Sequence, residues 1–208
     1  MNPAHQVLPI RRGVPSDARE LAAVHCTCFL EDDHLARSLG PRFLRKMYTW
    51  LASSSRCGLF VVESERGIIG ATSIFDGSYE GAMVRALKWE LVATPLRNPK
   101  VLANRSLWRA IRAKCGVKRS MQAIGPPEKA PCAQILYTMV DESQRGRGYA
   151  GALRSAALQW ARDRGVRRAI TGVHFSNTSS LRANERDGFR PLQGEPDLRG
   201  FIYLYVDL

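Results

Sequence analysis

At 208 residues, the chain has the length for one domain with its own hydrophobic core. Hydrophobic residues make up 45% and charged residues 24%, and no apolar run reaches membrane-spanning length, which argues against a disordered or membrane-inserted chain. A formal net charge of +12 attracts anions such as nucleic acid, anionic lipid or phosphorylated cofactors. The arginines are spread along the chain and no zinc-finger, RNP or basic-zipper pattern occurs, so specific nucleic-acid binding is not expected.

The start, MNPAHQVLPIRRG, lacks the apolar middle of a signal peptide, so the expected location is cytoplasmic. The cysteines Cys26, Cys28, Cys57, Cys115 and Cys132 follow no ligand spacing, as free thiols in a reducing compartment would. His25 beside Cys26 invites a metal or thiol reading. Leu21, Val24, His25 and Cys28 share one helical face, however, and a packed helix is the better account.

In chain order, a first strand is expected around 6–11. Pro15 and Ser16 then open a helix running to about Leu30, with Asp17 and Glu20 spaced as a capping-box variant. Gly40 and Pro41 open a second helix with an apolar stripe of Phe43, Leu44, Met47, Trp50 and Leu51. Strands at 59–63 and 68–75, joined by the charged turn SERG, form a hairpin. A further strand is expected over 82–94, broken by Pro95 and Pro99, then a helix over 101–114 and a loop over 117–131. A strand at 133–140 runs into a turn at 141–148 and a helix burying Ala150, Leu153, Ala157, Trp160 and Ala161, which Gly165 stops. A strand at 166–173, a short helix at 178–186 introduced by Asn177, a short strand near Phe189 and Leu192, and a last strand at 201–206 complete the chain. The successive strand–helix steps predict an at least partly parallel sheet within one domain.

The turn Arg145-Gly-Arg-Gly-Tyr-Ala150 is neither a dinucleotide fingerprint nor a nucleotide P-loop. Gly146 and Gly148 sit at a tight bend before a helix start, whose free amides and dipole favour an anion. Arg145 and Arg147 add positive charge.

Here the sequence resembles the GCN5-related N-acetyltransferases, which move an acyl group from acyl-coenzyme A to an amine. Arg145, Gly148 and Ala150 fit the family's central motif within QRGRGYAGAL. LYTMVDES, WARDRGVRRAITGVHFSN and SLRANERDGF resemble its neighbouring segments in order, over about 133–190. The resemblance implies an α/β (α+β) fold with a mixed, mostly antiparallel central sheet and flanking helices. It implies acetyl-CoA as acyl donor, held by backbone groups near Met139 and Val140 at the pantetheine arm. The amides of Arg145, Gly146, Arg147, Gly148, Tyr149 and Ala150 would hold the pyrophosphate, and Asn177 would sit near the pantetheine or adenine. The fourth and fifth strands would splay around the thioester. Many relatives carry a tyrosine, which reprotonates the coenzyme thiolate, where this chain has Asn184. Asn184 can donate a hydrogen bond to the sulfur but is no ordinary acid. Tyr149, Tyr203 and Tyr205 are the alternative donors.

The expected chemistry is direct attack of a neutral amine on the thioester, with a backbone N–H near Met139 or Val140 facing the oxyanion. Candidates for the base are Glu90, ranked first for its place in the expected 82–94 strand, then Glu80 and Asp141, with Tyr137 as a positioner. No ordered nucleophile constellation and no metal site is expected. Arg85, Lys88, Arg97, Lys100, Arg105, Arg109 and Arg112 in the middle segment suit an anionic small amine as acceptor. A homodimer is compatible with this reading. The alternatives are a catalytically weak acyl-CoA-binding regulatory module and, behind it, a basic nucleic-acid-associated protein.

Overall fold

The structure, a computed structural model, describes residues 8–29, 35–97, 132–192, 195–197 and 200–208. The expected helix at 101–114, the loop at 117–131, residue Leu30 and the start of the first strand lie outside the described residues.

Among the described residues seven strands form one sheet in the order β1-β2-β3-β4-β5-β7-β6. They are β1 (Ile10–Arg12), β2 (Cys57–Ser64), β3 (Gly67–Asp76), β4 (Cys132–Val140), β5 (Arg168–His174), β6 (Arg190–Pro191) and β7 (Phe201–Asp207). Every neighbouring pair is antiparallel except β4 with β5. Helices α1 (Ala18–Cys28), α2 (Leu35–Ser38), α3 (Pro41–Ser53) and α4 (Tyr79–Arg97) precede β4. Helix α5 (Tyr149–Arg162) joins β4 to β5, and α6 (Thr178–Arg186) follows β5.

Each face of the sheet has its own core. Leu21 of α1 and Phe43, Leu44, Met47, Tyr48 and Leu51 of α3 cover one side, on Leu59, Val61, Ala71 and Phe75. Leu153, Ala157 and Ala161 of α5 cover the other, on Val62, Ile74, Ala133 and Ile135. The α3 stripe follows the 3.6-residue period, and Trp50 adds a stacked contact to Phe75, ring centroids 5.6 Å apart.

Two expectations fail here. The 82–94 segment belongs to helix α4, not to a strand. Val84, Val92 and Thr94 favour extended structure, but Tyr79, Ala82, Met83, Leu87 and Leu91 recur at helical spacing and pack against the α1–α3 core. The helix kinks at Leu87, whose φ of −107° and ψ of 16° are non-helical. Val84, Trp89, Val92 and Leu96 stay exposed, which blurs the amphipathic pattern in the sequence. Pro95 falls within this helix rather than stopping a strand.

The expected Asp17–Glu20 capping box does not form. A 3-10 turn at Pro15–Asp17 precedes α1. Asp17 accepts from the Val14 N–H (2.9 Å) and from Arg11 (2.7 and 3.1 Å), while Glu20 accepts from the Ile68 N–H (3.1 Å) across the sheet. Burial acts to raise the Asp17 pKa, but the bonds from Arg11 and Val14 outweigh it and hold it below the ordinary 3.8. A depressed carboxylate stabilises the fold above its unfolded pKa, and that contribution is lost as pH falls through the folded value. We therefore expect Asp17→Asn to lower stability at pH 6 by about 1–2 kcal/mol and by much less at pH 3, read from urea midpoints.

Candidate active site at the divided strands

Strands β4 and β5 pair over four rows, Cys132 with Arg168 through Ile135 with Thr171. Beyond them β4 continues along β3 to Val140 and β5 continues along β7 to His174. The sheet thus opens between the two strands. A bulge marks the opening: Ile74 faces Ile135 while Ser73 faces Tyr137, so Leu136 is an extra residue in β4. It reverses the strand's facing. Ala133 and Ile135 point to the α5 core, whereas Tyr137 and Met139 point to the α1–α3 core.

Backbone groups at the opening follow from the ladder. The Asp141 N–H donates to the Ile69 carbonyl at 2.8 Å. Alternation then turns the Met139 backbone towards β3 and leaves Thr138 and Val140 on the edge facing the gap. This corrects the expected backbone role of Met139 and adds Thr138. The Thr72 and Thr138 hydroxyls, 2.9 Å apart, fit the close side-chain approach of a non-bonded row. The Val140 carbonyl accepts from Arg145 Nε (3.2 Å) and Cys28 Sγ (3.4 Å), so its free group at the edge is the N–H. Across the gap, the Phe175 N–H donates to Gly200 at 2.8 Å, and the same alternation places the Gly172 and His174 backbones on the facing edge.

At the mouth, Asp141 caps a 3-10 turn over Glu142–Gln144 through Ser143. Gly146 (φ 79°) and Gly148 (φ 84°) both adopt left-handed backbone. A Cβ at either would meet nothing within 4 Å, so dihedral angle rather than crowding calls for glycine. No side chain caps α5. Ahead of its first intrahelical bond, Ala152 N–H to the Gly148 carbonyl (3.1 Å), the amides of Tyr149, Ala150 and Gly151 form the usual unpaired helix start. The Tyr149 ring is buried in the α5 core, so only its N–H can serve a ligand. The Arg145 and Arg147 residues are exposed beside the turn. The free amides of the helix start and two cations suit a pyrophosphate, and the divided strand edges suit an extended amide-bearing arm.

The other expected residues lie as follows. Asn177 caps α6, its Oδ1 accepting from Ser180 N and Ser179 Oγ, each 3.0 Å away. Asn184 is buried, and its Nδ2 donates back to the Ser180 carbonyl at 2.8 Å and lies 3.4 Å from Ser180 Oγ. Its NH2 group is thereby engaged within the helix. Glu90 sits in α4, not in a strand, and is drawn to Arg97 (3.2 Å) and Arg42 (3.7 Å). Glu80 is the second residue of α4, and Asp141 is occupied by Ser143. Tyr205 lies under the Arg168 guanidinium, 4.6 Å from its ring centre, at the closed end of the β4–β5 pair. Tyr203 lies opposite Gly172 at the open end.

The burial alternation assigns Ala169 and Val173 to the α5 core, and Ile202, Leu204 and Val206 with them. Gly172, His174, Phe201 and Tyr203 therefore share the opposite face beside the gap. The Tyr203 hydroxyl donates to Asp197 Oδ2 at 3.2 Å. Asp197, three residues before Gly200 in an irregular loop, carries no sequence signal that would have singled it out.

Thiol chemistry is disfavoured. Burial pushes the Cys28 and Cys132 thiols up and Cys57 to about 12, leaving each protonated at neutral pH. Burial likewise raises Tyr48 and Tyr137, so neither becomes a phenolate base. His25 is fully buried with Nδ1 2.8 Å from the Tyr48 hydroxyl, as expected of a packed residue. Among the described residues no cluster of His, Cys, Asp and Glu could hold a metal ion. No described helix is long and apolar enough to cross a membrane.

A mixed sheet parted at its one parallel pair, with a two-glycine turn and an uncapped helix at its mouth, is the fold of the acyl-CoA-dependent acyltransferases. Residues 112–189 match the sequence profile described as the Acetyltransferase (GNAT) family. Solved structures share the fold along the whole length. The GNAT domain of S. lividans PAT is 19% identical, with 100% of both chains covered and a TM-score of 0.61. The polyamine N-acetyltransferase of Drosophila melanogaster, which forms N-acetylagmatine, is 16% identical over 97% of this chain and 100% of its own, at 0.64. The PaiA N-acetyltransferase of Thermoplasma acidophilum, solved in complex with coenzyme A, is 10% identical over 97% and 99%, at 0.62. No curated protein sequence matches the chain.

Proposed function

We propose that the chain transfers an acetyl group from acetyl-CoA to a primary amine by direct attack within a ternary complex. The parting of β4 from β5 beside the Gly146–Gly148 turn is the observation that carries this reading. The amides of 146–151, with Arg145 and Arg147, bind the pyrophosphate. The pantetheine arm lies along Thr138 and Val140, and the Val140 N–H faces the thioester oxygen, where a fixed donor favours the developing oxyanion. The amine adds to the carbonyl carbon, the carbon–sulfur bond breaks, and the thiolate leaves with the coenzyme.

The acceptor approaches over the face bearing Gly172, His174, Phe201 and Tyr203. Asp197 replaces Glu90 in our reading as the group that takes the ammonium proton, because Glu90 is held by two arginines in α4. Tyr203, opposite Gly172, replaces Asn184 as the donor to the departing thiolate, because the Asn184 amide is engaged by Ser180. Arg85, Lys88 and Arg97 of α4 are the described part of the basic middle segment that suits an anionic acceptor.

Coenzyme A release from acetyl-CoA, followed with a thiol reagent over a panel of amines, tests the activity. With the best amine, Asp197→Asn is expected to lower kcat by about 10²-fold or more at neutral pH, with recovery as pH rises and the amine deprotonates unaided. Unchanged kcat would remove Asp197 from the mechanism. Intact acetyl-CoA binding without turnover on any amine would favour the regulatory module that the engaged Asn184 amide makes the second reading.

A further inference from the structure

A second polar surface lies on the helical layer, apart from the strand opening. Pro15, Ser16, Ala18 and Arg19 form one wall of a cleft of about 390 Å³, and Arg42, Arg45, Lys46 and Thr49 form the other. The second wall is one stripe of α3 at i, i+3, i+4 and i+7, back to back with the buried Phe43, Leu44 and Met47. Among the described residues the lining carries four cations and no carboxylate.

The nearby acids do not compensate it. Asp17 is turned to Arg11 and Val14, and Glu20 to Ile68. Among the described residues Arg42 alone of the four cations nears a carboxylate, Glu90 at 3.7 Å, and Glu90 is closer to Arg97. Among the described residues no ion pair engages Arg19, Arg45 or Lys46. By contrast Arg11, Arg154 and Arg168 each have a carboxylate within 2.7 Å.

We propose that this cleft holds the phosphodiester backbone of a nucleic acid, gripped without regard to base sequence. Arg42, Arg45 and Lys46 follow one another over about 6 Å of α3, with Arg19 on the facing wall, an open groove suited to about two successive phosphates of one strand rather than a closed ring around a single anion. Among the described residues no aromatic side chain lines the cleft for base stacking and no amide side chain for adenine pairing, so the backbone phosphates are the groups its cations can hold. The net charge of +12 extends the attraction beyond the cleft. Docking there would bring the acyltransferase to amines carried on nucleoprotein.

Fluorescence anisotropy of the full chain with labelled 20-base-pair DNA duplexes of unrelated sequence tests this. Arg45→Glu/Lys46→Glu is compared with Arg162→Glu/Arg167→Glu, a charge-matched reversal at exposed residues elsewhere. Retained acetyl-CoA affinity reports that both variants fold. The cleft variant is expected to raise Kd at least about tenfold, for every sequence alike, and to make the slope of log Kd against log salt shallower by about two. The control should change Kd by less than about threefold. Equal weakening in both variants, absence of duplex binding by the wild type at 100 mM salt, or inorganic pyrophosphate bound as tightly as the duplex would each overturn the proposal.

Discussion

Gly148→Val should weaken acetyl-CoA binding about tenfold while leaving the fold in place. Gly148 has a φ of 84°, where a β-branched residue costs on the order of 1–2 kcal/mol, and 1.4 kcal/mol is a factor of ten in Kd. Among the described residues nothing beyond its chain neighbours comes within 4 Å of a Cβ at this position, so the loss comes from backbone strain and not from a clash. The turn relieves that strain by rotating, and the amides of Tyr149 and Ala150 lose their aim. Gly148→Asn tolerates the left-handed region and should bind within about threefold of wild type. A calorimetric titration separates the two variants. Equal affinity for Val and Asn would show that the turn does not hold the ligand through its dihedral angles.

Asp187→Ala should destabilise the protein by about 3 kcal/mol, the low end of the range for a broken buried ion pair. Arg154 of α5 has a side chain only 6% exposed, and its guanidinium meets Asp187 Oδ2 at 2.5 Å and the Ala183 carbonyl at 3.4 Å. Removing the carboxylate strands a buried cation. The 28% exposure of Asp187 admits some water and keeps the cost from the upper end. Since the pair ties α5 to the end of α6, the loss falls on the segment bearing Asn177 and Asn184. Asp207→Ala breaks the Arg168–Asp207 pair, 2.7 Å long, but Asp207 is 62% exposed and the expected cost is below about 1 kcal/mol. Urea unfolding of both variants reads the contrast. Similar losses would show that burial does not set the strength of these pairs.

The turn and helix start proposed for the donor were legible because their determinants are local. Gly146 and Gly148 need particular dihedrals, the apolar run before them makes a strand, and the helix after them supplies amides within a few residues. The paired helices, the hairpin and the order of the later elements were readable for the same reason. Information carried by pairing was not. The extra residue Leu136 reverses which face Tyr137 and Met139 serve, and only the register with β3 shows it. The same ladder moves the edge groups from Met139 to Thr138 and Val140.

The acceptor side was hidden for other reasons. Segment 82–94 mixes β-branched residues with helix formers and leaves Trp89 and Leu96 exposed, so its helical period is blurred and Glu90 was assigned to a strand. Asn184 was read from its place in a motif, whereas its hydrogen bond to Ser180 is a matter of rotamer and burial. Asp197 and Tyr203 meet only when the last loop folds back on β7. His25 shows the opposite case: its helical face placed it in the core, and it is fully buried there.

A crystal structure of the complex with acetyl-CoA tests the central claim most directly. The account predicts the pyrophosphate on the amides of residues 146–151 and the pantetheine arm between β4 and β5, with Thr138 and Val140 on one side and Gly172 on the other. Coenzyme density away from that opening, or an arm whose amides bond to neither strand edge, would contradict it.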